Sequence, residues 1–174
     1  GMPGMHGMAY ASLAIEEADL LIALGMRFDD RITGKPSAFS TQSKKIHVDI
    51  DPSEIGKNIK VDVPIVGDVK RVLAKLNPQV SDNTHADWLH RIEALKSDHP
   101  SHIIRPTDEL LPQYIMKEIS DVTDSDAIVV TGVGQHQMWA AQHFTYKYPC
   151  TFVTSGGSGA MGYEVPGALG AQVA

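Results

Sequence analysis

The chain has 174 residues, with 15 Lys and Arg against 21 Asp and Glu, a net charge of −6 and a pI near 5.7. Hydrophobic residues at 43% against 21% charged describe a globular chain, and no apolar run nears the ~18 residues of a membrane span. The single cysteine, Cys150, excludes an internal disulfide; the acidic balance argues against nucleic acid, and the absence of a basic-then-apolar signal pattern makes a cytoplasmic protein the expectation.

In chain order, Leu13, Ala14 and Ala18 recur at helical spacing across Ala9–Asp19. Leu20–Leu24 is continuously apolar, the pattern of a strand covered on both faces, and Gly25 stops it. Ile46, Val48 and Ile50 alternate with His47, Asp49 and Asp51 in a second strand. Val63–Val66 predicts a third, kept to an edge or a strand start by Pro64. Asp68 then caps a helix over Val69–Leu76, which Asn77-Pro78 ends. From Gln79 the pattern weakens, except for an amphipathic helix at Asp87–Lys96 carrying Trp88, Leu89, Ile92 and Leu95. The alternation resumes with a helix over Leu110–Ser120 that tolerates Pro112 in its first turn. A strand at Ala127–Val130, a helix over Met138–Phe144 and a short strand at Phe152-Val153 follow. The glycine-rich stretch Ser155–Gly162 leads into an apolar helix over Val165–Ala174 that has no capped end, so a truncated chain is expected. Strands separated by helices predict an α/β protein of mostly parallel sheets with flanking helices. The expected organisation is a unit at 1–80, a linker with one helix at 81–106, and a second unit at 107–174.

Ligands of parallel sheets bind beyond the carboxyl ends of the strands. Three polar groups fall there: Arg27-Phe28-Asp29-Asp30-Arg31, Asp49-Ile50-Asp51 and Gly67-Asp68-Val69. A carboxylate at a strand end either caps the next helix or accepts from a ribose hydroxyl; three along one edge favour a nucleotide-like ligand. Gly157–Gly162 has G-x-G-x-x-G spacing, which suits a dinucleotide phosphate or a plain tight turn. Gln135-His136-Gln137, behind Gly132-Val133-Gly134, offers donors to a diphosphate or simply opens a helix. Of His85, His90, His99 and His102, the spacing His99-x-x-His102 suits chelation, but without Cys or carboxylates in ligand spacing all four read as solvated and no metal ligand is assigned. Cys150 reads as incidental.

Several strings together are far more specific than any one. Gly4-Met5-His6-Gly7, the run Ala14–Gly25, Arg27–Arg31, His47–Pro52, Gly134–Gln142 and Thr154–Gly157 closely resemble, in order, the large subunit of the acetolactate synthase (acetohydroxyacid synthase) family. The resemblance implies a thiamine-diphosphate enzyme with Mg²⁺ and a non-redox FAD, which decarboxylates pyruvate and joins the two-carbon fragment to a second 2-oxo acid. The first unit would be the later part of the central FAD-binding domain, with His6, Arg27, Phe28 and Asp29 lining FAD and Asp49, Ile50, Asp68 and Val69 near its adenosine portion. Arg31 would hold the second substrate's carboxylate. The second unit would begin the thiamine-diphosphate-binding domain: Gln135 and His136 at the diphosphate, Gly156 and Gly157 toward FAD, Gly159 and Ala160 at the aminopyrimidine ring, and Met161 as the wedge that bends the cofactor. The G-x-G-x-x-G spacing would then not signify NAD. The family's activating glutamate and its Mg²⁺-binding motif are not in these residues, so the chain alone is expected to be inactive and the Mg²⁺ ligands to lie beyond it. A homo-oligomer and a regulatory small subunit are implied for the parent. Ser158 stands where the family usually has an apolar residue, and Glu164 where it usually has glycine. The alternatives are another thiamine-diphosphate carboligase and a non-catalytic nucleotide-binding module.

Overall fold

The computed structural model describes residues 1–100 and 103–174, in two compact units, Gly1–Ser101 and His102–Ala174. His102 lies outside the described residues. Among them, no helix is long and apolar enough to cross a membrane.

The first unit runs α1 (Ala9–Glu17), β1 (Leu20–Leu24), α2 (Asp30–Thr33), β2 (Lys44–Asp49), β3 (Val63–Val66), α3 (Val69–Leu76) and α4 (Ala86–Asp98). The strands form one parallel sheet in the order β1-β2-β3, with Ala23 opposite His47 and Val48 opposite Ile65. Pro64, which cannot donate to a ladder, sits on an edge strand as expected. Ala23, Phe28, Phe39 and Ile59 form the core, with Ile15, Leu21, Met26 and Ile32 packed against it. Asp68 caps α3 as predicted, its Oδ1 accepting from the Arg71 N–H at 2.9 Å.

Two expectations change here. β1 is not covered on both faces: Leu21 and Ala23 turn to the core, but Leu20, Ile22 and Leu24 stay 41–47% exposed. Its unbroken apolarity therefore does not report two-sided burial within these residues. The helix expected inside a linker at 81–106 belongs instead to the first unit. α4 packs on α1, with Leu95 buried and the Arg91 guanidinium donating to both carboxylate oxygens of Glu17 at 2.7 and 2.6 Å. That pair holds Glu17 below the usual carboxylate range, chiefly through the hydrogen bond.

The second unit runs α5 (Pro112–Val122), β4 (Val129–Thr131), α6 (Gln135–His143), β5 (Phe152–Thr154) and α7 (Glu164–Val173). β4 and β5 pair in parallel, Thr131 opposite Thr154. α6 starts three residues before Met138, the expected start, because Gly134 at φ +146 turns the chain directly into it. Phe144, Tyr146 and Phe152 stack with centroids 4.9 and 5.1 Å apart.

Candidate functional site

In the first unit the sheet brings its three polar strand ends to one edge. The Gly25 N–H donates to Val48 at 2.8 Å and the Gly67 N–H to Asp49 at 2.8 Å, so the ladder continues past the strands and aligns all three turns. After β1 the chain passes through Phe28, buried yet left-handed at φ +50. A bulky residue takes that conformation only when its surroundings impose it. They do: Phe39 and His47 meet its ring edge-on at 6.0 and 5.0 Å. The Asn58 amide also donates to the Arg27 carbonyl at 3.0 Å. Burying Phe28 turns Arg27 and Asp29 outward, where they pair at 2.8 Å.

Each carboxylate of the edge has a local task. Asp29 Oδ1 accepts from the Arg31 N–H at 3.1 Å and starts α2; Asp49 Oδ1 accepts from the Asp51 N–H at 2.8 Å; Asp68 caps α3. Asp51 accepts from both the N–H and the hydroxyl of Ser53, and these bonds hold its carboxyl below the usual range. The capping reading is therefore met for Asp29 and Asp68, whereas Asp49 and Asp51 close turns that no helix follows. It does not exclude a ligand, because a carboxylate has about four acceptor sites. Beside Asp49, Ile50 is 72% exposed, and Val69 is half-buried in the first turn of α3.

The Met5 N–H donates to the Arg31 carbonyl at 2.9 Å, which brings the turn holding His6 to the Arg27–Arg31 segment. Nη1 of Arg31 lies 3.7 Å from Met5 Sδ, and its guanidinium enters no ion pair among the described residues. A cavity of about 360 Å³ opens beside it, lined in part by Gly4, Met5, Asp30 and Arg31. A larger one, about 600 Å³, lies at the opposite edge by Lys44, Lys45 and Asp62, away from every residue the sequence singled out.

In the second unit the polar residues also gather beyond the strands' carboxyl ends. Gln135 and His136 are exposed at the start of α6, directly after the Gly132–Gly134 turn. Gly156, Gly157, Gly159, Ala160 and Met161 lie in the loop after β5, all exposed, with Met161 at 85%. Ser155 ties that loop down: its carbonyl accepts from the Gly159 N–H at 3.1 Å and its hydroxyl from the Ala160 N–H at 2.9 Å. Both N–H groups are thus engaged within the loop. A side chain on Gly157 or Gly159 would meet open space. The loop therefore leaves room for a flat ring.

At this edge Thr131 escaped the sequence reading, while Gln137 was read there only as a diphosphate donor and Thr154 only as part of a resembling string. Thr131 and Gln137 both donate to the Thr154 hydroxyl at 2.8 Å, locking β4, β5 and α6 together. The hydroxyls ending two paired strands were the available signal. Glu164 is the one poor fit to a diphosphate. It opens α7 with its carboxylate so close to Gly132 that a side chain there would collide with it, and its Oε2 is buried without a hydrogen bond.

The profile of the thiamine pyrophosphate enzyme central domain matches residues 1–76, and that of the C-terminal TPP-binding domain matches residues 132–174. The chain is 46% identical to an acetolactate synthase of Mycobacterium leprae, over all of this chain and 29% of that protein. It is equally similar, with the same coverage, to a Mycobacterium tuberculosis protein named acetolactate synthase large subunit. A rice protein named probable acetolactate synthase 2, chloroplastic, is 47% identical over 99% of this chain and 28% of its own length. The chain thus spans under a third of the relatives it matches.

Proposed function

The chain belongs to the acetolactate synthases among the thiamine pyrophosphate enzymes, and from that premise we propose that the whole protein condenses pyruvate with a second 2-oxo acid, releasing carbon dioxide, in branched-chain amino-acid biosynthesis. The observation that carries this is identity of 46% along the entire chain, across both strand-end clusters.

In this reading FAD lies along the first unit's edge. The Arg27–Asp29 pair meets its polar portion, with His6 and Phe28 beside it, and Ile50 and Val69 offer apolar walls to adenosine between Asp49 and Asp68. Arg31, free of any carboxylate partner among the described residues, binds the second substrate's carboxylate. In the second unit Gln135 and His136 hold the diphosphate at the start of α6, where unpaired backbone N–H groups favour an anion. Gly159 and Ala160 lie at the aminopyrimidine, Met161 braces it, and Gly156 and Gly157 belong to the same cofactor-binding loop. Thiamine diphosphate supplies the nucleophile and the electron sink when bound; Mg²⁺ would accompany it on ligands from outside this chain. The protein works as a homo-oligomer in the cytoplasm. The relative named a large subunit supports a regulatory small subunit as partner.

Titrating the protein into FAD while following flavin fluorescence tests the first half. Saturable quenching that NAD does not reverse is expected, and displacement by NAD would favour a dinucleotide module instead. Acetolactate formation from pyruvate by the complete protein, absent from this chain alone, tests the second.

A further inference from the structure

His47 is the most deeply buried titratable side chain that the reading above leaves unused. It is 0% exposed at the centre of β2, and neither ring nitrogen makes a hydrogen bond. Burying two imidazole nitrogens unpaired is costly, so such a residue calls for an explanation. Its cross-strand neighbours are Ala23 and Pro64, and the Phe28 ring stands edge-on over it at 5.0 Å, so these neighbours are apolar. Two residues along the same face of β2 is Asp49, whose Oδ2 lies 4.0 Å from His47 Nε2. Asp49 is itself buried and has its other oxygen on the Asp51 N–H. A separation of 4.0 Å is about 1 Å beyond a hydrogen bond, a gap that a small rotation of either side chain closes.

We propose that His47 is a positioning residue for Asp49: it carries its proton on Nε2 and donates it to Asp49 Oδ2, fixing the carboxylate that meets the ribose of an adenine nucleotide. The Asp51 N–H alone anchors one oxygen and leaves the carboxylate plane to turn; a second donor from below fixes it. Phe28 then serves the site indirectly, as the wall that keeps the imidazole facing Asp49. This rests on the nucleotide reading of the edge for its consequence, while the 4.0 Å approach of His47 to Asp49 does not depend on that reading.

Ring nitrogen NMR on the labelled protein reads the contact without any ligand. The expected result is an Nε2–H tautomer that changes in Asp49→Asn, and an Nε2 proton that moves downfield when ADP is added. An Nδ1–H tautomer indifferent to Asp49→Asn would overturn the proposal. ADP affinity reads the consequence: His47→Gln, which keeps a donor, should stay within about threefold of the parent, and His47→Phe should lose about tenfold. Equal affinities for the parent and a folded His47→Phe variant would also overturn it. If the parent protein binds no ADP, the nucleotide reading fails and the ribose role with it, whereas the tautomer still decides the contact.

Discussion

Phe28 allows a sharp test of how the first unit's edge is built. The ring is 2% exposed and makes two edge-on aromatic contacts, yet its backbone is left-handed at φ +50. Truncating a buried phenylalanine to alanine costs about 3–5 kcal/mol. The left-handed conformation costs an L-residue about 1–2 kcal/mol, and alanine still carries that cost whereas glycine does not. Against this, glycine loses about 0.5–1 kcal/mol more backbone entropy than alanine on folding. Phe28→Ala should therefore lose ~4 kcal/mol and Phe28→Gly ~3 kcal/mol, the reverse of the order found at most sites.

Urea unfolding followed by circular dichroism measures this directly. With an m-value of about 2 kcal/mol/M, the midpoint should fall by ~2 M for Phe28→Ala and ~1.5 M for Phe28→Gly. Phe28→Leu keeps most of the volume but loses the ring contacts, and should fall between the parent and Phe28→Gly. If Phe28→Gly is no more stable than Phe28→Ala at equal m-values, the residue is not held in a left-handed turn, and the account of how Arg27 and Asp29 are aimed outward fails with it.

Asp68 separates capping from ligand binding: Asp68→Ala should lose ~1 kcal/mol of stability with the cap, while Asp68→Asn should keep nearly all of it yet bind adenine nucleotide more weakly. A nucleotide affinity unchanged in Asp68→Asn would remove the residue from the site. Glu164→Gln, which neutralises the carboxylate beside Gly132, should tighten thiamine diphosphate binding by on the order of tenfold, read by calorimetry with Mg²⁺ present; unchanged or weaker binding would show that the carboxylate is no obstacle. Acid should loosen the first unit. Glu17, Asp51 and Asp62 are each held below the ordinary carboxylate range, by Arg91, by Ser53 and by the Lys45 N–H respectively, so protons bind the unfolded chain more tightly. The stability they lend is complete above the ordinary carboxylate values and should drain away below about pH 5, seen as a falling urea midpoint. A midpoint flat down to about pH 3 would contradict those partners.

The elements that could be read from sequence are those whose cause is local. Asp68 and Asn77-Pro78 bracket α3 because a cap and a stop act within a turn, and β2 announces itself through alternation with period two. What stayed hidden depends on partners distant in sequence. Ser40 is fully buried, its N–H facing the Glu16 carboxylate at 3.0 and 3.1 Å and its carbonyl taking the Lys45 ammonium at 2.6 Å. Nothing in Phe39-Ser40-Thr41 advertises that arrangement. His47 was likewise legible as a strand residue but not as a buried one, since burial there is decided by Phe28, nineteen positions earlier, adopting a conformation its type disfavours. The candidate residues themselves were legible singly only as caps and turns. The common role proposed for them came from the order of the strings, and their common edge from parallel pairing.

The G-x-G-x-x-G spacing shows why a motif needs its structural frame. In a dinucleotide fold the glycines make the turn itself, so that the strand ends at the first and the helix has begun by the third, with the pyrophosphate at the helix start. Here β5 ends at Thr154 and α7 starts at Glu164, so Gly157, Gly159 and Gly162 all precede the helix. The first position of α7 bears a carboxylate, whose negative charge opposes an anion at that helix end. The helix start of this unit that follows a glycine turn directly is instead α6, with Gln135 and His136 exposed behind Gly132–Gly134. The two glycine-rich segments thus show a division: one delivers the chain directly into a helix N-terminus, and the other spreads into an open loop whose Gly159 and Ala160 N–H groups are taken by Ser155. A ligand with a diphosphate at one end and a hydrogen-bonding heterocycle at the other fits that division, and a pyrophosphate seated on the second segment does not.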